Sequence, residues 1–191
     1  MSTVSGIKQE HSNQSCIMKR SEVNPLPQFY DRYINKVEDL DLLEALEVYS
    51  PEHVFSETET LHKLGDLIYA PNKWTIREII QHCIDTERIM SHRALRIARN
   101  DKTPLPGFDE NEYALNTTAR YRHLEELLDE YDIVRASTQA LFQSFNDDML
   151  VRSGQASQID ITVGALGFMV IGHSLHHMDV IKERYFSLIV Q

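Results

Sequence analysis

Residues Thr75 to Asn100 read TIREIIQHCIDTERIMSHRALRIARN, and this stretch decides the fold. Thr75, followed three residues later by Glu78, forms a capping box, in which the two residues satisfy each other's backbone N–H groups at a helix start. At roughly 100° per residue, Ile76, Ile79, Ile80, Cys83, Met90, Ala94 and Ile97 share one face. His82 and Arg93 lie on its shoulder. Glu87 falls near its centre, where a bare charge is costly, so it reads as the buried partner of an arginine.

The same period recurs outward from this helix. Leucines at 40, 42, 43 and 46 predict a short helix over Asp39 to Tyr49. Ser50 and Pro51 supply a cap and a first turn for another, carrying Val54, Leu61 and Leu64 and ending near Gly65. After a connection over 101–116 with two prolines and a glycine, a third helix runs from about Thr118 to Phe145. Its stripe is Leu124, Leu127, Leu128, Tyr131, Thr138, Leu141, Phe142 and Phe145. A polar connection over 146–160 precedes a fourth, from about Thr162 to Val190, striped by Leu166, Val170, His173, His177, Ile181 and Leu188. No strand is needed, and four long helical segments predict an all-α four-helix bundle. The length of the connections implies that one crosses the end of the bundle. Residues 1–24 are polar and read as a poorly ordered extension to a domain over 25–191.

A net charge of -10 over 191 residues disfavours nucleic acid and anionic membrane surfaces as partners. No apolar run approaches the ~18 residues of a membrane span. The first twenty residues lack the apolar core of a secretory signal. Cys16 and Cys83 are the only cysteines, and Cys83 reads as a buried free thiol. A cytoplasmic location is the expectation.

Of nine histidines, His11, His53, His62, His92 and His123 read as surface residues. His173 and His177, within GHSLHH, lie one turn apart and replace apolar residues in a core stripe. Buried imidazoles need partners for both ring nitrogens, and a divalent cation takes their neutral lone pairs. Hydrogen bonds to backbone or carboxylates answer the same need, and the glutamate of the HExxH signature is absent. The spacing alone therefore leaves both readings open. His82 is the best third ligand, and His176 is an alternative that falls towards the rim.

Three segments in order carry a resemblance: KWTIREIIQHCIDTERIMSHRALRIARND (Lys73–Asp101), PLPGFDENEY (Pro104–Tyr113) and GHSLHHMDVIKERY (Gly172–Tyr185). Together they resemble the DinB-like superfamily, also called the YfiT-like metalloenzymes, over roughly residues 35–188. The resemblance implies up-down-down-up topology, a homodimer, and a metal held by His82, His173 and His177. It implies mixed chemistry as well: transfer of low-molecular-weight thiols such as bacillithiol or mycothiol in some members, metal-dependent hydrolysis in others.

Three neutral imidazoles leave a position open, the pattern of a catalytic zinc site; nickel is a plausible occupant of recombinant protein. Such a site serves a thiol S-transferase acting on an electrophile, or a hydrolase, and the three ligands do not choose between them. A hydrolase needs a base, and Asp85 and His176 are the candidates. A third reading is a dimeric stress protein that the metal merely stabilises. Arg93 suits a substrate carboxylate or, more simply, a salt bridge. Phe108 and Tyr113 are candidates for the cavity wall.

Overall fold

The computed structural model describes residues 18–189. The chain begins with four short helices: α1 (Asp31–Ile34), α2 (Leu42–Val48), α3 (Pro51–Val54) and α4 (Thr58–Leu64). The long α5 (Ile76–Ala98) follows, then the short α6 (Glu110–Leu115), the long α7 (Leu124–Gln143) and α8 (Asp147–Leu150). A hairpin of β1 (Ser153–Ala156) and β2 (Ile159–Thr162) leads into α9 (Val163–Arg184). No helix among the described residues is long and apolar enough to cross a membrane.

Side-chain pairings fix the topology. Gln81 meets Arg122, Arg88 meets Glu130 and Ser91 meets Thr138, so α5 and α7 run parallel. The Tyr185 hydroxyl, just past α9, donates to the carbonyl of Trp74, just before α5. Gly154, shortly before α9, lies against Ile97 at the other end of α5, so α5 and α9 are antiparallel. Leu42 packs against Gly167 near the start of α9, and Glu57 pairs with Lys182 near its end. The α2–α4 segment therefore runs with α9, and the order is up-down-down-up.

The capping box is present as expected: the Thr75 hydroxyl accepts from the Glu78 N–H, and Glu78 accepts from the Thr75 N–H. Ser50 likewise caps α3, accepting from the His53 N–H. Glu87 has its arginine. Arg135 of α7 donates from Nε and Nη2 to its two oxygens, both at 2.9 Å. Arg135 also donates to the carbonyl of Tyr49, at the C-terminal end of α2. The apolar core forms two clusters. One gathers Met90, Ala94 and Phe168 to Ile171, the other Ile76 to Ile84 with Met178 and Ile181. The polar residues Glu87, Arg135 and His173 lie at their junction. Gly172 lets the backbone of α1 close onto that level of α9, since a Cβ there would stand 1.9 Å from the Tyr33 carbonyl oxygen.

Several boundaries differ from the sequence expectation. Three helices are long, and the first corner of the bundle is broken into short pieces. Met18 and Val23 are buried, and the Met18 carbonyl accepts from the Leu42 N–H, so the fold includes residues assigned to the extension. Residues 1–17, with His11 and Cys16, lie outside the described residues. The third helix starts at Leu124 after a 3₁₀ turn over Ala119–Tyr121, and the fourth stops at Arg184 before another over Phe186–Leu188. The expected absence of strands is wrong. β1 and β2 pair antiparallel around a two-residue turn, with Ser157 and Gln158 both at positive φ, 52° and 65°. This is the hairpin turn whose usual signature is Asn-Gly, and Ser-Gln does not advertise it. The other loop, 101–116, contains α6, capped by Asp109, whose carboxylate accepts from the N–H groups of Asn111 and Glu112.

Candidate metal centre

His82 lies two turns into α5, and His173 and His177 lie one turn apart on α9. Antiparallel packing of these helices brings the three rings together. The Nε2 atoms of His82 and His173 are 3.1 Å apart, and so are those of His177 and His173. Ligand atoms of all three lie within 4.8 Å of one another. Tetrahedral coordination at the usual zinc–imidazole bond length separates nitrogens by about 3.3 Å, close to this spacing. No other group of three such ligands is present among the described residues.

Hydrogen bonds alone do not satisfy this cluster. A ring nitrogen carries either one N–H or one lone pair. His173 Nε2 can therefore serve one neighbour fully, yet it faces two. A single cation accepts all three lone pairs at once, so the donor set fits a divalent ion. Three histidines can thus form a metal site.

The rings are held in the state such an ion requires. Burial pushes His82 down to about 4, with a further push from His176. Burial lowers His173 and His177 well below the ordinary histidine range, with the neighbouring imidazoles acting in the same direction. Unfolded histidines titrate near 6.5. Between about 6.5 and 4 the unfolded chain therefore binds protons that the folded cluster refuses. Metal-free protein is expected to lose stability as pH falls through this window, with no contribution from the cluster above it. Urea unfolding of chelated protein checks this, beside a variant with glutamine at positions 82, 173 and 177. An equal pH slope in both proteins would assign the effect to other groups.

Aromatic residues distant in sequence fix the rings. Trp74 packs on His82 at 4.9 Å between centroids, and Tyr33 meets His173 edge-on at 5.3 Å. Neither carried a signal in the sequence, because each belongs to a segment with no helical period. His176 stays outside the cluster. Its ring lies against Tyr33 and His177, each at 5.2 Å. Burial lowers its pKa, and Lys36 and Arg32 act in the same direction. Asp85 stands one turn beyond His82, half-buried, and accepts a hydrogen bond from Gln81 Nε2 at 2.9 Å. Burial raises its pKa, partly offset by that hydrogen bond. Its carboxylate borders a narrow pocket shared with His82, Phe108 and Tyr113, and does not join the three nitrogens.

The simple salt-bridge reading of Arg93 is overturned. Among the described residues it forms no ion pair. It is 3% exposed and donates to the Pro106 carbonyl and the Ser157 hydroxyl. It ties the 101–116 loop to the hairpin turn, a role that sequence could not reveal while the hairpin was unrecognised. Cys83 is free and buried, and burial pushes its thiol far above the ordinary range, so it is inert at neutral pH.

Two cavities reach the cluster from opposite ends of its stretch of α9. One, of 360 Å³, borders His82 and His173 and is walled by Tyr33, Thr86, Met90 and Phe108. The other, of 240 Å³, borders His176 and His177 and is walled by Tyr69, Trp74 and Tyr185. Tyr113 lines neither of these.

The fold has counterparts among known proteins. The model of the DinB superfamily matches residues 32–181. The structure superposes on YfiT from Bacillus subtilis with a TM-score of 0.67 and 19% identity, covering 77% of this chain and 85% of that one. YfiT is described as a probable metal-dependent hydrolase with an unusual four-helix bundle topology. No curated protein matches significantly. The matched span contains all three histidines, and with the shared topology it leads to one conclusion: this chain belongs to the DinB superfamily.

Proposed function

We propose that His82, His173 and His177 hold one zinc ion, and that the protein transfers a low-molecular-weight thiol to an electrophilic small molecule. The observation that carries this reading is the pair of cavities meeting the cluster from two ends. A transfer needs room for two substrates, whereas hydrolysis needs one substrate and water. A divalent ion held by neutral ligands supplies Lewis acidity, which acidifies a thiol or a water that reaches it.

The residues of the chain do the rest. The three rings, kept neutral by burial, leave the charge of the ion uncompensated. Trp74 and Tyr33 hold two of those rings in place, and Met90, Phe108 and Tyr33 supply apolar walls to the larger cavity. A hydrolase, the description given to YfiT, would in addition need a base, for which Asp85 and His176 remain the candidates. Asp85 borders a pocket shared with His82, and His176 lies against His177, so either could serve as that base.

Cobalt-substituted protein provides the test, because a thiol that reaches the metal adds a sulfur-to-cobalt charge-transfer band to the visible and near-ultraviolet spectrum. Small thiols are expected to produce this band saturably in wild type and not in His82→Ala. If the band never forms while amide or ester substrates are turned over, the hydrolase reading takes its place.

A further inference from the structure

The larger cavity is more than an apolar slot. At one edge lies Arg32, whose guanidinium carbon sits 3.8 Å from the centroid of the Phe29 ring and 5.0 Å from that of Tyr33. Phe29 holds this position with φ at 76°, a left-handed conformation that is strained for a bulky residue and marks a local constraint. Arg32 has no carboxylate partner among the described residues. Glu110, at the start of α6, borders the same cavity and likewise has no cationic partner among them. Both charges act on the Tyr33 hydroxyl, in opposite directions. Deeper in, Thr86 is 2% exposed, and its hydroxyl has no hydrogen-bond partner. Buried polar atoms are normally paired, so an orphan in a cavity wall points to a ligand.

We infer that this cavity takes a small zwitterion, a molecule carrying a carboxylate and an ammonium group at one end and the reacting group at the other. Arg32 receives the carboxylate through paired N–H donors. Glu110 receives the ammonium. The Thr86 hydroxyl, one turn beyond His82 on α5, takes its missing hydrogen bond from a polar atom of the reacting end. A ligand with only a carboxylate would meet Glu110 as a like charge, and one with only an ammonium would meet Arg32, so the pair selects for both groups together. The Tyr33 ring spans the distance: it touches the Arg32 guanidinium on one side and His173 on the other, at 5.3 Å between ring centroids. This assignment names the substrate class for the site proposed above and rests on that site binding a metal.

Hydroxamates test it without relying on thiol chemistry, since they bind a metal through their own oxygens. Glutamate γ-hydroxamate carries the zwitterionic head, and acetohydroxamate lacks it. In calorimetric titrations of the zinc-loaded protein, the glutamate derivative is expected to bind at least about tenfold more tightly, the usual scale of a charge-assisted hydrogen bond. Arg32→Gln and Glu110→Gln should each remove most of that advantage while leaving the acetohydroxamate affinity and the zinc content unchanged. Equal affinities for the two hydroxamates in wild type would overturn the zwitterion site, as would an advantage that survives both substitutions. The thiol reading is judged separately, by the cobalt band, so either can fail while the other stands. Failure of both hydroxamates to bind would overturn the site at its base.

Discussion

Replacing Arg135 by alanine is expected to lower the unfolding free energy by about 3–5 kcal/mol, the usual cost of breaking a buried ion pair by removing one partner. The side chains of Glu87 and Arg135 are only 1% and 2% exposed, so bulk water does not solvate the carboxylate that remains. The carboxylate would be left without its counter-ion between two apolar clusters. The carbonyl of Tyr49 would lose its donor as well, freeing the C-terminal end of α2 from α7. Glu87→Leu combined with Arg135→Met should cost less than the single alanine, because it removes both charges together. Urea unfolding by linear extrapolation measures both variants. A loss below about 1 kcal/mol for Arg135→Ala would place this pair with exposed ones.

His173→Ala is expected to weaken metal binding by more than about a hundredfold, beyond the 10–100-fold typical of residues that only orient a ligand. The Nε2 of His173 lies 3.1 Å from the Nε2 of each of the other two, so its loss leaves only two ligands for the ion. His176→Ala, at the residue just before His177 and about 100° around the same helix, should retain stoichiometric metal. Elemental analysis of the purified proteins, followed by titration against a competing chelator, separates the two cases. Equal metal content and equal affinity in wild type and His173→Ala would mean that His173 is a core residue and not a ligand.

How much of this was legible in the sequence depended on whether the cause was local. The start of α5 was readable because Thr75 and Glu78 cap each other within one turn. Glu87 was readable as a buried ion pair because a charge in the middle of an apolar stripe needs a counter-ion, although the identity of that counter-ion was not. His173 and His177 declared themselves by displacing apolar residues in a stripe. His82 sat on the shoulder of its helix, and only the antiparallel packing of α5 against α9 joins it to them. Tyr33 and Trp74 come from segments without periodicity, and their roles arise entirely from tertiary contact. The hairpin escaped notice because its strands are four residues each and its turn uses Ser157 and Gln158. The role of Arg93 is hidden for the same reason, since one of its partners is that turn.

The placement of α9 bears on how the protein comes into being. This helix is translated after all the others described, yet its N-terminal half is buried on every side and it packs against α1, α2 and α5. While the ribosome is still at work, α5 and α7 can pair with each other and with the short helices before them, but the apolar faces that α9 covers stay open. Those faces are shielded only when the last helix arrives, which makes the interval of synthesis between residues 143 and 184 the time of greatest exposure to aggregation and to chaperones.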